Sequence, residues 1–197
     1  MDAILWRDYV CPWCWLGRSV APVLDELGVT VTTMPYELHP EFSTDGVPVR
    51  RGGRLEATLL AIGGRCAEVG LAFSAPPALP NSRRMLAFAE LVRLRRPERF
   101  EALDDAWFEA IWARGRDLTT PGAAEAIVAE VGGLDDVAAW WDDPEGFDAV
   151  DASKAEANEH GIGATPTWLL DGAVGLPGVQ DEATVRRMVE RVANRRR

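Results

Sequence analysis

Residues 11–14 read Cys11-Pro12-Trp13-Cys14, and the rest of the chain takes its place around them. The apolar run Ala3-Ile4-Leu5-Trp6 precedes them, and a segment with helical periodicity follows. Two cysteines at this spacing can close a small disulfide, supply half of a metal site, or fill two core positions one helical turn apart. A strand before and a helix after favour the disulfide. At a helix N-terminus, Cys11 meets unpaired backbone N–H groups and the positive end of the helix dipole, and both stabilise a thiolate. A cysteine pKa of about 8.5 can fall to roughly 3.5–7.5 in such a place. Pro12 suits the first helical turn because it has no N–H to lose and its φ is already helical. The expectation is a redox dithiol on a helix tip, with Cys11 exposed and nucleophilic and Cys14 one turn deeper as the resolving thiol.

Moving outward, residues 3–8 read as a strand and 12–27 as one helix, with Leu16, Val20, Val23 and Leu27 on one face. Gly28 stands where a glycine ends a helix. Val29 to Glu37 alternates apolar and polar residues and predicts a second strand, joined to the first by a parallel crossover. His39 to Gly53 is rich in Pro, Gly and charge and reads as a loop. From Arg54 to about His160 the periodicity is helical throughout. Leu55, Leu59, Ile62, Cys66 and Val69 make one stripe, so Cys66 packs as a small hydrophobe. Asn81 or Ser82 caps the next helix, Pro97 starts another, and Thr119 or Thr120 before Pro121 caps a third. A short helix from Leu134 and a longer one through Phe147, Val150 and Ala157 complete the set. Strand signals return with Thr167–Leu170 and Ala173–Leu176 around the turn Asp171-Gly172, and a final helix runs from about Glu182 to Arg195. The order is βαβ, then helices, then ββα.

Composition narrows the function. A length of 197 residues allows one large domain or one domain with an insertion. The formal net charge of −10 argues against nucleic acid as a partner, which requires a basic surface. The basic cluster Arg195-Arg196-Arg197 reads as a solvated helix end. No apolar run is long enough for a bilayer, and no secretory signal precedes Ala3, so the expected location is cytoplasmic. Three cysteines do not make a disulfide scaffold, and in a reducing compartment a CxxC beside a βα unit reads as catalytic.

The second chemical element is Gly161-Ile162-Gly163-Ala164-Thr165-Pro166-Thr167-Trp168. In this element order Pro166 falls beside the CxxC helix tip, in a tight turn that can select a cis bond. Here the chain resembles thioredoxin-fold oxidoreductases of the DsbA superfamily with their helical insertion. More narrowly it resembles the FrnE-like branch, relatives of kappa-class glutathione transferases and 2-hydroxychromene-2-carboxylate isomerases. The resemblance is carried by Asp8 through Gly17, Tyr36-Glu37-Leu38-His39-Pro40, Pro80-Asn81-Ser82, Gly161 through Pro166, and Gly178-Val179-Gln180. It implies an α/β thioredoxin fold interrupted by an inserted all-helical domain. Residues 1–44 and 161–197 would form the discontinuous thioredoxin-fold domain and 45–160 the insertion.

The resemblance also implies roles. Cys11 would attack the substrate sulfur and Cys14 would resolve the mixed disulfide. Pro166 would be cis and keep metal from the dithiol. The Thr165 backbone would be free to pair with an extended substrate, and the Thr165 hydroxyl would tune the thiolate. Pro12 and Trp13 would face substrate. The transferase and isomerase branch has serine where this chain has Cys11, which favours disulfide chemistry here. The chain departs from thioredoxins in having Leu5 where they carry a buried acid. Asp8 is the nearest carboxylate, either as a proton acceptor for Cys14 through water or as a cap on the turn after the strand. His39 reads as a neighbour of the dithiol or as a surface histidine, and His160 as a helix cap. Trp107, Trp112, Trp140 and Trp141 read as core.

The leading expectation is a thiol–disulfide oxidoreductase acting on protein thiols, protein disulfides or small thiols. It needs no cofactor and no metal, beyond a low-molecular-weight thiol as co-substrate, and is a monomer or homodimer. The alternatives are a glutathione- or mycothiol-dependent transferase, reductase or isomerase acting on a small electrophile, and a non-enzymatic chaperone.

Overall fold

The computed structural model describes residues 1–195, so Arg196 and Arg197 of the C-terminal basic cluster lie outside the described residues. The chain opens with β1 (Asp2–Arg7), then α1 (Pro12–Gly17), a 3-10 turn (Arg18–Val20), α2 (Ala21–Glu26) and β2 (Thr30–Pro35). The single helix expected over 12–27 is therefore divided. Pro22 cannot donate an N–H to the preceding turn, and the chain tightens before it and restarts. Gly28 ends the segment at φ 66°, in the left-handed region.

The helical block follows, but it is not purely helical. β3 (Val47–Pro48) lies in the stretch read as loop and pairs antiparallel with β4 (Ala78–Leu79), Val47 opposite Leu79. Between them runs α3 (Arg54–Glu68). Then come α4 (Arg83–Arg95), α5 (Pro97–Phe108) with a π-helical turn (Glu109–Ala113), α6 (Ala123–Val131) and α7 (Pro144–Glu159). Ser82 occupies the cap position of α4, while the Asn81 carboxamide oxygen accepts from the Arg83 N–H at 3.0 Å. The cap expected at Thr119 or Thr120 is displaced. Gly122 at φ 82° starts α6, and Thr119 instead donates its N–H and hydroxyl to Asp117. The helix expected from Leu134 is a 3-10 turn further on, at Ala138–Asp142. Gly146 lets α7 approach α4, since a Cβ there would lie 2.6 Å from the Ala87 carbonyl oxygen.

The chain returns to the sheet with β5 (Thr167–Leu170) and β6 (Val174–Pro177) and closes with α8 (Glu182–Arg195). Asp171 and Gly172 both take positive φ in the turn. The sheet order is β2-β1-β5-β6, with β1 and β2 parallel and the other pairs antiparallel. Alternation sets two faces. Ala3, Trp168, Leu170 and Leu176 pack with Leu24 of α2 and Val185, Val189 and Val192 of α8. Trp6 and Leu169 pack on the other side with Tyr36, Ile162 and Ala157 of α7. The remaining large cluster belongs to the helical block, and residues of α1 are part of it.

Candidate functional site

Cys11 is the N-cap residue of α1 and has extended backbone geometry, φ −89° and ψ 108°. Its N–H bonds the Asp8 carbonyl at 3.2 Å, so the strand passes into the helix through one tight turn. The Cys14 N–H returns to the Cys11 carbonyl at 2.9 Å. All three cysteines are free thiols.

The thiol of Cys11 is not exposed as expected: the residue is 1 % accessible and Cys14 is 4 %. Two things cover Cys11. The segment before β5 folds over the helix tip, and the Cys11 Sγ donates to the Thr165 carbonyl at 3.3 Å. Both cysteines are also built into the apolar cluster of the helical block, alongside Tyr9, Trp15 and Leu16. The Thr165–Pro166 bond is cis. The Thr165 backbone is thus partly engaged by Cys11 rather than free. Its hydroxyl oxygen is buried without a hydrogen-bond partner.

The two thiols differ in acidity. The hydrogen bond from Cys14 pulls the Cys11 pKa below its usual value, against burial, with help from Thr165 and the Cys14 backbone. Burial pushes Cys14 well above its usual value, and the neighbouring Cys11 adds to the effect. The arrangement makes Cys11 the easier of the two thiols to ionise, with Cys14 placed to donate a hydrogen bond to its thiolate.

Asp8 is fully buried. Its carboxylate accepts from the Leu38 N–H at 2.8 Å and the Val10 N–H at 3.3 Å. The Ser82 hydroxyl is a further partner. Burial raises its pKa and these donors oppose the rise. Asp8 therefore does cap the turn, and it also ties the dithiol loop to the segment after β2 and to the start of α4. His39 is half-buried, stacked on Phe42 at 4.5 Å, with Nδ1 2.8 Å from Glu41. His160 follows the last residue of α7 as its cap. Trp13 and Pro12 are half-buried at the tip, with the Arg65 guanidinium 5.4 Å from the Trp13 ring centre. Trp107, Trp112 and Trp141 are buried in the helical block and Trp140 packs on its edge.

One group was missed in the sequence. Arg7 lies on the α2 side of the sheet, buried, and is bonded to the carboxylate of Asp104 in α5. Asp104 also accepts from the Tyr9 hydroxyl at 3.0 Å and from Arg18 at 3.0 Å, and Arg18 continues to Asp105. Burial pulls the Arg7 pKa down, but Asp104, Tyr9 and Cys14 outweigh it and hold it raised. This network borders a cleft of about 530 Å³ between the sheet, α1, α2 and α5. Cys14 and Pro166 form part of its wall; Cys11 does not. The available signal was an arginine continuing the inward alternation Ala3, Leu5, Arg7.

Among the described residues, no group of three or more His, Cys, Asp or Glu side chains is placed to hold a metal ion, and no helix is long and apolar enough to cross a membrane. A family model described as a DSBA-like thioredoxin domain matches residues 4–190. No curated protein matches the sequence. Among solved structures, the fold is similar to the probable DsbA oxidoreductase of Streptomyces coelicolor, with TM-score 0.83, 24 % identity, and coverage of 98 % of this chain and 90 % of that one. It is also similar to a 2-hydroxychromene-2-carboxylate isomerase, with TM-score 0.77, 16 % identity, and coverage of 100 % and 98 %. A third similar structure is the cytosolic disulfide reductase DsbM of Pseudomonas aeruginosa with GSH, at TM-score 0.67, 17 % identity, and coverage of 96 % and 100 %. At these identities the likeness to the solved structures is one of fold.

Proposed function

This chain belongs to the DSBA-like thioredoxin family, and from that premise we propose that it is a thiol–disulfide oxidoreductase working through Cys11 and Cys14. The observation that carries the reading is the placement of two free thiols on the first turn of α1 against the cis Thr165–Pro166 bond, and the lowered pKa of Cys11 beside the raised one of Cys14 agrees with it. The Cys11 thiolate attacks a substrate disulfide, the S–S bond breaks, and the departing sulfur leaves as a thiolate. Cys14 then attacks Cys11 in the mixed disulfide and expels the second substrate thiol. Cys14 must lose its proton for that step. Asp8, buried and within electrostatic reach of Cys11, is the acceptor in this reading. The Thr165 hydroxyl, buried without a partner beside the reduced pair, would become a donor to the Cys11 thiolate, and Pro12 and Trp13 meet the client.

The substrates are protein disulfides or small thiols, with no metal or resident cofactor, in the cytosol. The chemistry is tested by equilibrating the protein with defined thiol buffers and alkylating free cysteines. A potential near or below about −250 mV indicates a reductant, and one above about −180 mV an oxidant or isomerase. Failure of Cys11 and Cys14 to form a reversible disulfide overturns the proposal. Replacing Cys11 with Ser should abolish turnover, whereas Cys14→Ser should accumulate mixed disulfide.

A second reading is favoured by one observation, the GSH in the Pseudomonas structure. It is a transferase, reductase or isomerase acting on a small electrophile with a small thiol as co-substrate. That activity requires Cys11 and survives Cys14→Ser.

A further inference from the structure

The formal net charge is −10, yet residues 50–65 carry Arg50, Arg51, Arg54 and Arg65 against Glu56. All four arginines are exposed. Elsewhere arginines such as Arg83, Arg95 and Arg186 are held by carboxylates. Arg50, Arg51, Arg54 and Arg65 have no carboxylate partner among the described residues. Glu56 itself is engaged by the Gly52 N–H at 2.6 Å. We infer that these arginines, on and before the face of α3 that leads away from Trp13, are the docking surface for acidic polypeptide clients, whose Asp and Glu residues flank the cysteine presented to Cys11. The inference rests on the oxidoreductase reading and names the client of the same site.

The geometry sets a track. Arg54 and Arg65 stand about three turns apart on α3, so both project from one face. The near end of that face is fixed at the dithiol. The Arg65 guanidinium lies 5.4 Å from the centre of the Trp13 ring, and α1 packs against α3. Ala57, Ala61 and Gly64, between the arginines, are small and exposed, so no bulky side chain there bars a polypeptide laid along the helix. Arg50 and Arg51 carry the positive charge past the helix start, in the turn where the Gly53 N–H bonds the Arg50 carbonyl at 2.9 Å. Glu68 stands a turn beyond Arg65, at the end away from Arg54.

Length selects the occupant. At about 1.5 Å of rise per residue, Arg54 and Arg65 are separated by roughly 16 Å along the axis. An extended polypeptide covers that distance with about five residues. A small thiol held at Cys11 is too short to reach Arg54. Charge selects the side chains. Carboxylates are attracted to the patch, and the acidic surface elsewhere repels them, so docking is confined to the track.

The test uses the reduced full-length protein and peptides whose single cysteine is joined by a disulfide to thionitrobenzoate. Attack by Cys11 joins the peptide to the protein and expels the coloured thiolate. The residues flanking the peptide cysteine are Asp and Glu, Ser, or Lys, and each rate is divided by that of the same peptide with dithiothreitol. At about 0.1 M salt, where a charge is felt over about 10 Å, the acidic peptide should exceed the serine peptide despite the net charge of the chain. The expected advantage is about fivefold, the effect of two exposed ion pairs of ordinary strength, with the lysine peptide slower still. It should vanish at about 1 M salt, where the reach falls to about 3 Å. Arg54→Glu should lower the rate on the acidic peptide about fivefold relative to the rate on the thionitrobenzoate disulfide of glutathione. Glu in the first turn suits the helix dipole, so this variant folds. An acidic peptide no faster than the serine peptide, an advantage that Arg54→Glu leaves intact, or an equal loss on the glutathione derivative overturns the inference while leaving the oxidoreductase reading in place. A protein that reduces none of the peptides removes both.

Discussion

The sheet and the helical block build their interiors from different side chains. The face of the sheet under α2 and α8 is covered largely by aliphatic residues, such as Leu24, Leu170, Val185 and Val189. The block is aromatic: Phe88 stacks on Trp141 at 4.3 Å, and Trp107 meets Tyr9 edge-on at 5.2 Å. The dithiol springs from the sheet yet packs into the block. Tyr9, Cys11, Cys14, Trp15 and Leu16 all belong to the block's cluster. Two long-range hydrogen bonds reinforce the attachment, Trp112 Nε1 to the Tyr9 carbonyl at 2.7 Å and Trp15 Nε1 to the Ala72 carbonyl at 2.9 Å. The insertion is therefore the surface against which the redox helix is set, and disturbance of its core should reach the cysteines.

That contrast can be broken by paired substitutions. Trp107→Ala should cost about 3–5 kcal/mol in denaturant unfolding and also shift the Cys11–Cys14 potential. Leu170→Ala, in the sheet, should cost about 2–5 kcal/mol with the potential unchanged. Equal effects on the potential would dissolve the distinction. Asp104→Asn should cost about 3 kcal/mol, because it leaves the buried Arg7 guanidinium without its carboxylate.

Asp8→Asn should cost about 1–2 kcal/mol near neutral pH, since an amide cannot accept from the Leu38 and Val10 N–H groups and Ser82 as a carboxylate does. Burial raises the Asp8 pKa, so protonation favours the folded state. The stability that wild type draws from this shift is complete below about pH 3.9 and is lost as pH rises through the raised folded-state value. Measured stability of wild type relative to Asp8→Asn should therefore fall across that window. The smallest effect is one of profile. The alkylation rate of Cys11 in Cys14→Ala should shift to higher pH, because the hydrogen bond from Cys14 is the largest cause of its lowered pKa.

The sequence made the sheet-side architecture legible through local signals. Alternation marked the strands, Gly28 marked a helix end, and Asp171-Gly172 marked the hairpin. The meeting of Cys11, Cys14 and Pro166 at one helix tip could be read because it depends on residue type and on a fixed element order. What escaped was set by tertiary partners. Pro22 sits inside a good helical stripe, and only its missing N–H reveals the break. The pairing of Val47 with Leu79 joins two dipeptides with no periodicity of their own. Cys11 looked exposed because the loop and the helical block that cover it are more than forty residues away in sequence. Asp104 carries no local sign that Arg7 and Tyr9, almost a hundred residues earlier, converge on it.

The hydrogen bond from the Cys11 thiol to the Thr165 carbonyl has a consequence for timing. The bond exists only while that sulfur carries a proton. Once Cys11 is oxidised, or ionised, the carbonyl loses its donor and is left in a buried place, where an unmet acceptor is costly. A backbone N–H from a bound polypeptide can then fill the position. Reduction and reprotonation restore the internal donor and remove the reason to hold the guest. In the proposed oxidoreductase the loop would then act as a clutch, with a free acceptor for a client's backbone when Cys11 is oxidised and an internally met one when its thiol is restored.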